Sequence, residues 1–93
     1  MNITLNIHEC CISRCFQSEK ENYCTITSLN TEVLLQNGYT LEVIAINGDD
    51  IVIKLENDTS IIYRILNPNF PFEICLCSSC YSTYFVTINI TIN

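Results

Sequence analysis

From Tyr84 to Ile92 the chain changes character at every residue. Tyr84, Val86, Ile88, Ile90 and Ile92 fall on one side of an extended backbone, and Phe85, Thr87, Asn89 and Thr91 fall on the other. An apolar period of two does not fit a helix, whose apolar face recurs at three and four residues. It fits a half-buried antiparallel strand. The same period opens the chain, where Ile3, Leu5 and Ile7 alternate with Thr4, Asn6 and His8. Ile, Val and Thr make up 28 of the 93 residues, and these β-branched types favour strands.

Turn signals divide the remainder. Asn37-Gly38 precedes the run Tyr39–Ile46, and Asn47-Gly48-Asp49-Asp50 leads into Ile51–Leu55. Asn-Gly between alternating runs predicts a type I′ hairpin turn, in which both central residues take positive φ. Glu56-Asn57-Asp58 turns the chain into Ser60–Leu66, and the prolines of Asn67-Pro68-Asn69-Phe70-Pro71 break it before the short run Phe72–Cys77. Tyr23–Leu29 and Glu32–Gln36 complete the strand set. Short strands with turns roughly every 8–12 residues predict a single all-β antiparallel sandwich or small barrel. The long runs Tyr39–Leu55 and Tyr81–Ile92 belong inside the sheets, and the short runs Glu32–Gln36 and Phe72–Cys77 at their edges, because sandwiches keep edge strands short. Helical spacing occurs only around Cys11–Lys20, which reads instead as an irregular polar arm. The expected organisation is an N-terminal connector arm, residues 1–15, and a β-sandwich domain, residues 16–93.

Charge removes several functions. Four Lys and Arg against ten Asp and Glu give −6, which is wrong for neutralising nucleic-acid phosphates or anionic lipid. No apolar run is long enough to span a membrane. The first residues lack a basic region followed by an apolar one, so no secretory signal is expected. A nucleophilic enzyme is also disfavoured. The sole histidine, His8, sits beside Glu9 on an alternating strand, Glu73 reads as an exposed carboxylate, and there is no G-x-S-x-G and no phosphate loop. No catalytic residue, cofactor, metal or small-molecule substrate is expected.

The seven cysteines are the chemically distinctive feature. An odd number leaves a free thiol, a metal ligand or a bond to another chain. Cys10 and Cys11 are adjacent. A disulfide between neighbours closes a strained ring, and on an extended strand their side chains point to opposite faces, so the two suit different partners. Partners within the chain require the arm to fold back over the sheet, and partners on other chains make it a tie between subunits. A competing reading uses Cys75, Cys77 and Cys80, the last two as a C-x-x-C knuckle, with Cys11 and Cys15 as the other pair of a zinc site. The protein is then a small zinc-binding β module that mediates protein–protein interaction.

The pair Cys10-Cys11, Cys24 at the opening of the β region and the closing strand Val86-Thr87-Ile88-Asn89-Ile90-Thr91-Ile92-Asn93 resemble the subunits of endospore appendages, the disulfide-linked fibres on spores of Bacillus-type bacteria. The resemblance implies a jelly-roll sandwich that forms a homo-oligomeric helical or stacked fibre. In it edge strands pair head-to-tail and arm cysteines Cys10 and Cys11 cross-link to neighbouring subunits. Their acceptors would be Cys24 and one of Cys75, Cys77 or Cys80, since Phe85 stands where the family's closing strand carries cysteine. It also implies synthesis in the mother-cell cytoplasm without a signal peptide and exposure on the spore surface after lysis.

Overall fold

The computed structural model describes residues 2–13, 17–78 and 82–92. It contains eight strands: β1 (Ile3–Ser13), β2 (Gln17–Ile26), β3 (Glu32–Leu34), β4 (Thr40–Asn47), β5 (Asp50–Glu56), β6 (Ile61–Leu66), β7 (Phe72–Ser78) and β8 (Ser82–Ile92). They form two four-stranded sheets, β2-β1-β8-β7 and β3-β4-β5-β6, and every pairing is antiparallel. The expected all-β sandwich is the observed architecture.

The core follows from the period of two. Ile3, Leu5 and Ile7 on β1 lie opposite Ile92, Ile90 and Ile88 on β8. Leu41 and Val43 on β4 lie opposite Leu55 and Ile53 on β5. All of these are buried except the half-buried Ile92. Burying each such aliphatic side chain contributes about 1.5–3 kcal/mol, so the two inner faces hold the sheets together.

Hydrogen-bonded neighbours are consecutive in sequence except β1 and β8, which close the series. The connectivity is that of a meander opened into two sheets, and among the described residues no connection crosses over in the Greek-key manner of a jelly roll. Five residues, 67–71, lead from β6 to β7, and five, 27–31, lead from β2 to β3. Such short links between sheets about 10 Å apart keep β6 beside β7 on one flank of the sandwich and β2 beside β3 on the other. Both short runs expected at edges, β3 and β7, are edge strands. β4, β5 and β8 are interior, and β2 and β6 are the other two edges.

The N-terminal arm is corrected. Residues Ile3–Ser13 are an interior strand of the first sheet, paired along their length with β8 and nearly so with β2. An arm would leave Ile3, Leu5 and Ile7 in water, and pairing buries all three. The stretch expected to be irregular from Cys11 to Lys20 is strand on both sides of residues 14–16, which lie outside the described set, and β2 begins at Gln17 and ends at Ile26 rather than spanning Tyr23–Leu29.

The two Asn-Gly turns differ. Asn37 and Gly38 both have positive φ, 58° and 75°, and Tyr39 N–H donates to Gln36 O, as a type I′ turn requires. At the β4–β5 hairpin the last pair is Asn47↔Asp50, and of the two loop residues Gly48 alone has positive φ, 63°. That pattern belongs to a type II′ turn, which needs glycine at its first central position. The turn is therefore one residue later than Asn47-Gly48 implies.

Candidate functional site: free thiols around an end cavity

The described cysteines are all free thiols: Cys10, Cys11, Cys24, Cys75 and Cys77. Four of them occupy two successive rungs of β1, β8 and β7. Cys10 and Cys75 flank Phe85, and Cys11 and Cys77 flank Tyr84. Strand pleating sends the neighbours Cys10 and Cys11 to opposite faces, as expected from an extended chain. Within each rung the two thiol-bearing residues are two strand spacings apart, about 9.5 Å between Cα atoms. A disulfide needs less than about 7 Å, so neither rung closes on itself. Cys24 lies opposite Leu5, about 20 Å along β1 from Cys11. Cys75 and Cys77 are exposed, and the other three are half-buried. Cys15 and Cys80 lie outside the described residues, and so does the completion of the Cys77–Cys80 knuckle. Among the described residues no group of three or more His, Cys, Asp and Glu is placed to hold a metal ion.

Cys11 and Cys77 line a cavity of about 600 Å³ at the end of the sandwich, with Tyr39, Thr59, Leu76 and Tyr84. A β-bulge opens β7 between Cys75 and Cys77. The backbone carbonyl of Leu76, at the bulge, accepts a hydrogen bond from Tyr39 OH at 3.2 Å. The Cys11 thiol donates to Gln36 Oε1 at 3.1 Å. The described lining is hydroxyl, amide, thiol and aliphatic groups without a charged side chain.

Beneath the cavity lies a group that sequence reasoning missed. Glu9 is fully buried. Its Oε1 accepts hydrogen bonds from Tyr84 OH and from the Gln36 backbone N–H, the latter at 2.6 Å. Asn22 Nδ2 donates to Oε2 at 3.4 Å. Burial pushes the Tyr84 phenol far above its ordinary range, and its hydrogen bond to Glu9 and the carboxylate charge push the same way. The available signal was parity, since Glu9 continues the inward series Ile3, Leu5, Ile7. His8, one residue away, faces outward, with Nε2 3.9 Å from Glu19 Oε1. Glu73 is exposed on edge strand β7.

Among the described residues no helix is long and apolar enough to cross a membrane. Comparison with protein-family models, curated proteins and solved structures finds no match.

Proposed function

We propose that this chain is a self-assembling structural subunit of a spore-surface appendage fibre, built by pairing of edge strands between copies and sealed by disulfides between them. The observation that carries this reading is the arrangement of thiols. Five free cysteines lie among the described residues of one small sandwich, and neither rung, Cys10 with Cys75 or Cys11 with Cys77, can close on itself. Thiols so placed are open to partners on other copies. The seal no longer needs a mobile arm, because the exposed thiols Cys75 and Cys77 already lie on an edge strand.

The edges supply the non-covalent part. Each sheet ends in two strands with one side of the ladder unpaired, and such edges recruit further strands through main-chain hydrogen bonds. A copy offers two edges on each flank, so pairing at both flanks extends without closing, which is the condition for a filament. The spore surface, reached by lysis of the mother cell rather than by secretion, is the location that the endospore-appendage resemblance supports.

The test is electrophoresis of the oxidised protein with and without reductant, alongside negative-stain microscopy. We expect filaments and a covalent ladder that reductant collapses toward 10.6 kDa. A clean monomer band without reductant and empty grids would overturn the reading.

A further inference from the structure

We infer that a second copy of this chain docks on the β6/β7 flank about a two-fold axis, with β6 paired to its counterpart and Cys75 of each copy facing the other across the axis. The inference rests on edge pairing as proposed above and specifies one junction, two-fold rather than head-to-tail.

The four edges are not equally guarded. β3 has three residues, β2 carries exposed Glu19, Lys20 and Glu21, and β7 is interrupted by its bulge. These are the devices by which edges avoid unwanted pairing. β6 is longer than β3, has no bulge, and carries a single charged side chain, Arg64. It runs Ile61-Ile62-Tyr63-Arg64-Ile65-Leu66 in unbroken register with β5. Ile61, Tyr63 and Ile65 project from one face at 53%, 55% and 66% exposure. Arg64 lies along the strand, its Nη1 donating to Tyr63 O at 2.8 Å.

Charge selects the occupant. In a chain of −6, association of like copies is least opposed where local charge cancels. The strands of the β6/β7 flank carry Arg64 and Glu73, one of each sign. Those of the β2/β3 flank carry Glu19, Glu21 and Glu32 against Lys20. The apolar row is also self-complementary. Antiparallel pairing centred on Tyr63 sets Tyr63 against Tyr63 and Ile61 against Ile65 of the second copy, so both apolar rows share one face.

The same axis reaches the thiols. Counted outward from the 67–71 link, Tyr63 is three residues beyond Leu66 and Cys75 three beyond Phe72. At about 3.3 Å per residue the two stand at one height, so an axis through the Tyr63 pair passes between the two Cys75 residues. The bulge at Leu76 keeps β7 from forming a long ladder there, so β6 supplies the hydrogen bonds and β7 the thiol. Closure requires the two exposed Cys75 residues to come within about 7 Å of each other, Cα to Cα. Two Cys75 thiols and a low-molecular-weight disulfide then give the protein disulfide and two small thiols, so that the two electrons and two protons pass to the small disulfide.

The test is a variant keeping Cys75 alone, with Cys10, Cys15, Cys77 and Cys80 changed to Ser and Cys11 and Cys24 to Ala, oxidised with glutathione disulfide. A matched variant keeps Cys10 alone. We expect a covalent dimer from the first and not from the second. In wild-type protein under reductant, Tyr63→Lys should abolish a dimer seen by sedimentation while leaving the β circular-dichroism spectrum unchanged, and this arm stands even if the cysteine variants fail to fold. Equal dimer yields from both variants, or a sedimenting dimer that survives Tyr63→Lys, would overturn the junction. Filaments from oxidised wild type without a Cys75 dimer would also overturn it while sparing edge pairing. A Cys75 dimer without filaments would uphold the junction and remove the fibre.

Discussion

Tyr84 on β8 donates its hydroxyl to the buried carboxylate of Glu9 on β1, so the only described side chain of formal charge inside the sandwich is held by a phenol from the neighbouring strand. The Gln36 N–H completes the contact from the β3–β4 turn of the second sheet. The network therefore ties the two sheets together at the cavity end. Removing the carboxylate takes the acceptor from three donors, Tyr84 OH, the Gln36 N–H and Asn22 Nδ2, and an unsatisfied buried donor costs about 1–3 kcal/mol. Glu9→Ala should lower stability by about 3 kcal/mol, and Glu9→Gln, which keeps an acceptor, by about 1 kcal/mol. Urea titration under reductant reads both; equal midpoints for the two variants would contradict the network.

Alkali should act through the same pair. The Tyr84 phenol has a raised pKa in the folded state and titrates near 10 when unfolded. Its stabilising effect is complete below pH 10 and declines as the pH rises above it, because the unfolded chain then releases a proton that the folded chain retains. The slope from this group is at most about 1.4 kcal/mol per pH unit. Tyr84→Phe should flatten stability against pH between 10 and 11, even while lowering stability at neutral pH. An unchanged slope in the variant would place the alkaline sensitivity elsewhere.

Thiol reactivity should follow position in the sheet. Cys75 and Cys77 are exposed, whereas Cys10, Cys11 and Cys24 are half-buried, and the Cys11 thiol is engaged with Gln36. Under limiting alkylating reagent, peptides carrying Cys75 and Cys77 should be labelled at least several-fold faster than that carrying Cys24, and urea should equalise them. Preferential labelling of Cys24 in the folded protein would mean that β2 is not packed as described.

Proline at the two polar edge positions should give different outcomes. Gln36 lies just past β3, and its N–H is a donor to Glu9. Gln36→Pro removes that donor and should cost about 1–3 kcal/mol, making it a probe of folding rather than of assembly. Glu73 lies on the β7 edge and is exposed, so Glu73→Pro should keep a β-rich fold and, because β6 carries the main-chain pairing between copies, leave filament growth under reductant intact. Circular dichroism with microscopy under reductant separates the two. Loss of β signal in Glu73→Pro would show that its N–H is needed within the sheet.

The strand set was legible because each strand carries its own period and its own punctuation. Tyr84, Val86, Ile88 and Ile90 are buried as alternation requires, and Pro68 and Pro71 do end one strand and precede another. β1 was just as visible in Ile3, Leu5 and Ile7. The adjacent Cys10-Cys11 and the polar residues beyond them point the other way, to an arm, and no local signal settles the conflict. Strand pairing was not legible. The partner of Ile3 is Ile92, at the other end of the described chain, and no local pattern encodes a contact that remote. Glu9 was hidden for a related reason. A carboxylate reads as solvent-facing until Tyr84, Asn22 and Gln36, from three separate segments, converge on it.

The pairing of Ile3 with Ile92 also sets an order of events in folding. β1 lies between β2 and β8, and β8 leaves the ribosome after the other seven described strands. Until then β1 can form only the hairpin with β2, and the rows that β8 buries stay wet. Closing a loop of that length carries an entropic cost that must be met before any of its contacts form. The sandwich is therefore expected to fold slowly and only once β8 is available, with the β3–β6 meander, whose pairings are local, as the part able to form first.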